Sequence, residues 1–273
     1  MLSTLVVPFG NRVVADLSVG VVWFNAMEVL TWAGLWLAGW GPNAVFSLVG
    51  GYCLLHQAFS GSGIDWPLLF AVLAAATMTL GNLAAFFQTS VRRLLAYSAV
   101  GQVGYLLMAL AVATRSGTAQ QGLLLYLAAY AVTNLAAYAV VAELPRARTL
   151  TDYRGLAHRR PGLAAVLVIC LLGLVGTPPT GVFLGKLEVF SATVDGGLTW
   201  LAVLAVANTV ASLFYYLRWL GPVFTTTGAA PAATHAVLGR WTTATACAAA
   251  ALSLALGIAG EFVLVLATGP LLP

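Results

Sequence analysis

Two ionisable residues stand inside long apolar stretches of the sequence, where a charged side chain is costly. Lys186 follows the tandem prolines Pro178 and Pro179 in GLVGTPPTGVFLGKLEVF, and Glu28 lies within WFNAMEVLTWAGLW. Burial disfavours the charged form of an amine, whereas the carbonyl end of a helix or a nearby carboxylate favours it. An amine balanced between these effects can gain and lose a proton. Lys186 is therefore a candidate for a group that exchanges a proton inside the membrane, and Glu28 is a candidate functional carboxylate.

Both residues also have a plainer structural interpretation. Lys186 could snorkel from near a helix end and place its ammonium among lipid headgroups, although the adjacent helix break favours a water-lined site. Glu28 lies about 15 Å along its apolar stretch, near mid-bilayer, where a carboxylate is a functional candidate. The alternative for Glu28 is a protonated glutamic acid that is hydrogen-bonded to a neighbouring helix.

Uncharged amide side chains inside other apolar stretches form a second class of candidates. They are Asn82, Gln102, Asn134 and Asn208. Inside a membrane such side chains hydrogen-bond across helices, so this interpretation is favoured over a direct role in proton transfer. They could also order a chain of water molecules.

The composition indicates which kind of fold positions these residues. Charged residues make up 7% of the 273-residue chain and hydrophobic residues 61%, which is far from the balance of a water-soluble domain. The apolar stretches suit helices that cross a bilayer and lack the alternation of barrel strands. Only helices and closed barrels satisfy their backbone groups in lipid. The sequence therefore predicts an all-α, polytopic transmembrane bundle.

Apolar runs bounded by charge, glycine or proline predict about eight membrane spans. The predicted spans are 18–40, 44–59, 67–88, 94–113, 122–142, 162–194, 198–220 and 241–267. The sixth is too long for one straight helix. Proline lacks an N–H and clashes with the preceding turn, so Pro178 and Pro179 predict a discontinuous helix whose first half stops at 177. Gly181 and Gly185 allow the second half to pack closely against a neighbour.

The distribution of basic residues predicts the orientation of the chain. Eight crossings place most arginines on one side of the membrane and only Arg12 and Arg115 on the other. By the positive-inside rule, the arginine-rich segment 143–161 faces the cytoplasm and both termini face outward. The net charge of +4 is thus a topology signal, and no nucleic-acid partner is expected.

Cysteine spacing and the absence of nucleotide motifs argue against a cofactor in this chain. Cys53, Cys170 and Cys247 stand singly, without a CxxC pair, so neither an iron–sulfur cluster nor a zinc site is expected. No glycine-rich dinucleotide loop occurs in the sequence either.

Four segments of the sequence resemble subunit N of bacterial NADH:quinone oxidoreductase, or complex I. They are TMTLGNLAAFFQTSVRRLLAYSAVGQVGYLL (77–107), YLAAYAVTNLAAYAVV (126–141), DYRGLAHRRPGLAAVLVICLLGLVGTPPTGVFLGKLEVF (152–190) and WLAVLAVANTVASLFYYLRWL (200–220). The order of GNLAAFFQ, RRLLAYS, PP, GK and YYLR is not one that composition alone would produce. The other antiporter-like subunits of complex I and the multisubunit sodium/proton antiporters are broader relatives, and FYYLR favours subunit N.

The resemblance implies a proton-translocating membrane subunit built from two inverted five-helix repeats, each with a broken helix. It makes Lys186 the protonatable lysine of the second broken helix, and it relates Glu28 to the glutamate helix of the first repeat. Arg92 and Arg93 match the basic pair of the family. Gln102 stands where the family usually has a histidine, and glutamine cannot titrate.

The chain departs from the family in its first part. Family members are nearly twice as long, and this chain lacks the first broken helix with its lysine. We interpret residues 1–65 as a divergent remnant of the first repeat with two spans. Residues 66–220 form the antiporter-like repeat, and 221–273 form a loop followed by a C-terminal transmembrane helix.

These observations lead to three functional hypotheses. The first is a membrane-arm subunit of a complex I-type enzyme in the bacterial inner (plasma) membrane, not catalytic alone. Other membrane-arm subunits are its expected partners, and NADH, flavin, iron–sulfur clusters and quinone are expected on partner subunits. The second is a subunit of a multisubunit cation/proton antiporter. The third is a non-conducting structural or assembly subunit, which the loss of the first-repeat lysines favours.

Overall fold

The computed structural model describes residues 65–225 and 240–260. This part of the chain contains eight α-helices and one short 3₁₀-helix, Leu150–Tyr153. In chain order the α-helices are α1 (Trp66–Phe86), α2 (Val91–Ala111), α3 (Ala119–Glu143), α4 (Leu156–Arg159), α5 (Pro161–Val175), α6 (Gly181–Asp195), α7 (Thr199–Phe224) and α8 (Arg240–Ile258). No strand occurs in the two described ranges, so the prediction of an all-α fold is confirmed.

Five of the helices are long and apolar enough to cross a membrane, which confirms a multi-pass membrane chain. They contain the segments Pro67–Phe86, Val91–Ala111, Ala119–Glu143, Thr199–Phe224 and Trp241–Ile258. Helices α5 and α6 have 15 residues each and divide the predicted span 162–194 in two. The count of about eight spans stays a prediction, because the spans 18–40 and 44–59 lie outside the described residues, as does Glu28.

Individual residues explain how α1 begins and how closely it packs against α2. The Asp65 carboxylate caps α1 by accepting the Leu68 N–H at 3.2 Å, and Pro67 occupies the first turn, where its missing N–H costs nothing. A Cβ atom added to Gly81 would lie 2.5 Å from the backbone nitrogen of Gly101. The backbones of α1 and α2 therefore approach as closely as glycine allows.

Helix α3 lies at the centre of the described bundle. It packs against α2, α5, α6 and α8, whereas α7 packs against α1, α5 and α6. One cluster of buried residues includes Tyr130 and the C-terminal half of α3, and a second includes Tyr126 and its N-terminal half. The central helix thus joins the two parts of the core and supports the half-helices α5 and α6.

The arginine-rich segment between α3 and α5 is ordered by its own polar contacts. The Asp152 carboxylate accepts the backbone N–H groups of Thr149 at 2.7 Å and Arg148 at 2.9 Å. Arg160 pairs with the fully buried Glu143 at 3.2 Å. These contacts fix the start of α5 against the end of α3.

Candidate functional site at the broken helix

A glycine ends the first half of the broken helix. Helix α5 stops at Val175, and Gly176 adopts a left-handed conformation with a φ of 92°. The Gly176 N–H donates to the Gly173 carbonyl at 2.8 Å, and the Thr177 N–H donates to the Leu172 carbonyl at 3.2 Å. These two bonds form a Schellman motif, which closes a helix at a left-handed glycine.

The predicted end of the first half-helix at residue 177 is therefore wrong by two residues. The prediction relied on proline alone, whereas Gly176 reverses the backbone before the prolines are reached. Pro178 and Pro179, joined by a cis peptide bond, lie inside the break, and α6 starts at Gly181. The prolines accordingly lie within the discontinuity, as predicted, but do not begin it.

The Schellman motif leaves two carbonyls at the end of α5 without a backbone partner. The Lys186 amine donates to both of them, to Val175 at 2.8 Å and to Leu174 at 3.4 Å. The Gln102 side-chain N–H group also donates to the Leu174 carbonyl, at 3.1 Å. The carboxyl end of a helix carries partial negative charge, so it favours a cation at this position.

Lys186 reaches these carbonyls from the second turn of α6. Its side chain is 3% exposed, so the amine does not extend to a lipid headgroup region as the snorkelling interpretation requires. A Cβ atom on the preceding residue, Gly185, would lie 2.5 Å from the Cα atom of Tyr126. The glycine thus lets α6 lie directly on the backbone of α3 and keeps Lys186 inside the bundle.

Gln102 links three helices around the break. Its amide oxygen accepts a hydrogen bond from the Tyr126 hydroxyl of α3, while its N–H group reaches the Leu174 carbonyl of α5. Gln102 itself lies on α2 and is 2% exposed. Of the predicted amide candidates, it is the one that shares a hydrogen-bond partner with Lys186.

The other amides make hydrogen bonds of their own. The Asn82 side-chain N–H group donates to the side-chain oxygen and the backbone carbonyl of Asn208, both at 2.9 Å, and thereby joins α1 to α7. The Tyr215 hydroxyl donates to the Asn82 oxygen at 3.0 Å. Asn134 donates to the Tyr130 hydroxyl one turn earlier on α3, at 3.2 Å. The hydrogen bonds of Asn82 and Asn208 are the interhelical contacts that the sequence favours.

Arg92 and Arg93 lie away from this site, in the first turn of α2. Gln102 lies ten residues further along the same helix, a distance of about 15 Å. Arg92 is half-buried and Arg93 is exposed. The family's basic pair is therefore separate from the lysine site.

Glu188 is not an ion-pair partner of Lys186. Its Cβ atom lies against α3, where a Cβ added to Gly122 would be 3.0 Å away. The carboxylate that forms an ion pair in this part of the chain is that of Glu143, which pairs with Arg160. The described residues include no group of three His, Cys, Asp or Glu side chains that could hold a metal ion.

Three residues of the site are absent from the sequence-based predictions. Gly176 could have been found, because a glycine after an apolar run with proline just beyond it is typical of a helix end. Tyr105, whose ring lies beside the Lys186 amine, and Tyr126 carry no such signal. Both are buried tyrosines whose neighbours at the site lie on other helices.

Comparisons with known proteins give the family of this chain. The family profile described as NADH:quinone oxidoreductase/Mrp antiporter, transmembrane, matches residues 41–212. NADH-quinone oxidoreductase subunit N 1 of Streptomyces griseus subsp. griseus is 58% identical over 218 residues, which cover 80% of this chain and 46% of that protein. Subunit N of a Mycobacterium species (strain JLS) is 54% identical over 195 residues, covering 71% and 42%. The chain thus spans less than half the length of these relatives.

Solved structures give the same result at the level of the fold. A chain of respiratory complex I from Thermus thermophilus with bound aureothin matches with a TM-score of 0.63 and 33% identity, over 72% of this chain and 45% of that one. A chain of the Mrp complex from Dietzia sp. DQ12-45-1b matches with a TM-score of 0.67 and 22% identity, over 82% and 49%, which shows the fold alone. The resemblance to subunit N is confirmed, and the chain belongs to the NADH:quinone oxidoreductase/Mrp antiporter transmembrane family.

Proposed function

We propose that this chain is a membrane-arm subunit of a complex I-type NADH:quinone oxidoreductase and that Lys186 relays protons through it. The observation that carries the proposal is the placement of one buried amine on the two open carbonyls of a broken helix. Broken helices inside membrane proteins are tolerated where they line a pathway or a binding site. An ionisable group at such a place is a functional candidate by default.

The hydrogen bonds of the amine suit a group that both holds and releases a proton. An ammonium has three N–H donors, and the carbonyls of Val175 and Leu174 accept two of them. When one proton leaves, the neutral amine keeps two N–H donors and gains a lone pair. Both carbonyls can then stay paired, so loss of the proton does not create an unsatisfied buried acceptor.

The supporting observations extend to partners and location. The relatives of highest similarity reported above are subunits of NADH-quinone oxidoreductase, so NADH, flavin, iron–sulfur clusters and quinone belong to partner subunits in this proposal. The membrane is then the bacterial inner membrane, with both termini outward and the arginine-rich segment 143–161 on the cytoplasmic side. Residues 66–220 act as the antiporter-like repeat, and residues 1–65 act as the remnant of the first repeat. The carboxylate of Glu28, in that remnant, is a relay group in addition to Lys186.

The family match also supports a second candidate, a subunit of a multisubunit cation/proton antiporter, because the profile covers both kinds of protein. The two candidates differ in their partners. Affinity purification of the tagged chain from its native membranes separates them, since membrane-arm subunits of NADH:quinone oxidoreductase co-purify in the first case and antiporter subunits in the second.

The relay itself is tested by the substitution Lys186→Met in the native host. Methionine has a similar length and no proton to exchange, so we expect loss of quinone-dependent proton uptake by inverted membrane vesicles at unchanged content of the complex. Leu187→Met is the matched control, because Leu187 is the next residue on α6 and is 51% exposed. Proton uptake at the wild-type rate in the Lys186→Met vesicles would contradict the relay and favour a structural or assembly subunit.

A further inference from the structure

The amine of Lys186 also lies over an aromatic ring. Its nitrogen is 4.4 Å from the centroid of the Tyr105 ring. Both side chains are buried, with exposed fractions of 3% for Lys186 and 2% for Tyr105. A cation within about 6 Å of a ring centroid is attracted by the negative face of the ring, and the attraction grows when water is excluded.

Contacts with residues of three helices hold the Tyr105 ring in this place. Its hydroxyl accepts a hydrogen bond from Thr209 at 3.2 Å and lies 3.5 Å from the carbonyl of Ala205, both on α7. The Tyr126 ring meets it edge-on at 6.4 Å, and Phe190 lies 6.0 Å away. The ring is therefore fixed between α7, α3 and α6, and Lys186 meets it in a set position.

No carboxylate of the described residues balances the charge of Lys186. Glu188 lies against α3, and Glu143 is at the far end of that helix, paired with Arg160. The other buried ionisable side chains on helices that pack against α6 are phenols and one thiol. They are Tyr105, Tyr126, Tyr130, Tyr138, Cys170, Tyr215 and Tyr216. The groups that meet the ammonium in this part of the chain are thus two carbonyl dipoles and one ring face.

We propose that the ring face of Tyr105 serves as the counter-group of Lys186 and stabilises its ammonium form. Tyr105 is then a positioning residue that sets the pH range in which the relay holds a proton. This inference rests on the proposed function of Lys186. Without the ring, the cation loses one of its stabilising neighbours while the carbonyls of Val175 and Leu174 remain. Lys186 then releases its proton at a lower pH.

The test compares Tyr105→Phe with Tyr105→Leu in the assembled complex of the native host. Proton uptake by inverted vesicles is measured across pH 6 to about 10 and divided by NADH oxidation with an artificial acceptor, which corrects for pH effects on NADH oxidation. Quinone reduction by the partner subunits is the same in both variants, so its pH dependence cancels in the comparison. Phenylalanine keeps the ring face, so its pH profile should match the wild-type profile. Leucine removes the face, so the alkaline limb should move to lower pH by about one unit, on the order of tenfold in proton affinity.

A second series keeps the volume of the site nearly constant, in case Tyr105→Leu does not assemble. Phenylalanine analogues with one, two and three ring fluorines at position 105 weaken the negative face stepwise. We expect the alkaline limb to move to lower pH with each fluorine. The role of the ring would be overturned if the alkaline limb of the pH profile stayed at the same pH through the fluorinated series. It would also be overturned if the limb moved equally in Tyr105→Phe and Tyr105→Leu.

The two proposals fail in different ways. Full proton uptake in Lys186→Met removes the relay itself and, with it, the basis for a role of Tyr105. Loss of uptake in Lys186→Met together with an unchanged limb in the fluorinated series removes only the role of Tyr105.

Discussion

The substitution Gly176→Ala is expected to disturb the lysine site through the backbone and through a direct contact. At a φ of 92°, a residue with a Cβ atom costs about 1 to 2 kcal/mol. The added Cβ would also lie 2.9 Å from the Cδ atom of Lys186. The lysine side chain must withdraw by roughly 0.5 Å to reach ordinary van der Waals separation.

This displacement acts on the hydrogen bonds of the amine. The bond from Lys186 to the Val175 carbonyl is 2.8 Å long, and a similar shift of the nitrogen takes it beyond the normal range. Hydrogen bonds of charged groups contribute about 1.5 to 3 kcal/mol, so their weakening changes how well the site holds the ammonium. We expect Gly176→Ala to lower both the free energy of unfolding and quinone-dependent proton uptake.

Gly197→Ala is the matched control for the backbone part of this effect. Gly197 has a φ of 81°, and a Cβ atom there meets nothing within 4 Å. Thermal unfolding in detergent and proton uptake in vesicles are measured for both variants. Gly197→Ala should lose about 1 to 2 kcal/mol of stability and pump normally. Normal pumping by Gly176→Ala at equal content of the complex would refute the link between the helix end and the relay.

Three further predictions concern packing, burial and pH. Gly185→Ala should destabilise the bundle strongly in a thermal unfolding assay, because its Cβ would lie 2.5 Å from the Tyr126 Cα atom; Gly117→Ala, with nothing within 4 Å, should not. Lys186 is the single lysine of the chain, and in detergent an amine-reactive reagent should leave it unmodified while modifying an exposed lysine in Gly117→Lys. Burial raises the pKa of Asp152, but hydrogen bonds from Thr149 and Arg148 outweigh it and hold that pKa below its usual value. The stabilisation by Asp152 should therefore be complete above about pH 4 and be lost as the pH falls through the lowered pKa. The loss should be seen as faster amide exchange at Thr149. The substitution Asp152→Asn should remove this dependence of the exchange rate on pH.

The sequence was sufficient for the features that depend on local pattern. Long apolar runs predicted the helices, and the tandem prolines indicated where the sixth span is interrupted. It also placed Lys186 within two turns of the break, because that distance is fixed along the chain.

Features that depend on pairing between distant helices could not be predicted in this way. Tyr105 and Lys186 are far apart in sequence, and no periodicity indicates which face of α2 meets α6. The pairing of Arg160 with Glu143 depends on how the segment between α3 and α5 folds back, which its composition does not specify. The end of α5 was predicted wrongly for a different reason. Gly176 is a helix-end signal in the sequence, but the prediction attributed the end of the helix to the prolines alone.

The central claim is that the buried amine of Lys186 gains and loses a proton, and the single lysine makes a direct measurement possible. The full chain, labelled with ¹⁵N at the lysine side chain and placed in lipid nanodiscs, should give one Nζ resonance in solid-state NMR. The account predicts that this resonance changes between its ammonium and neutral-amine positions across the pH range in which vesicles pump protons. A resonance that keeps its ammonium position throughout that range would contradict the account.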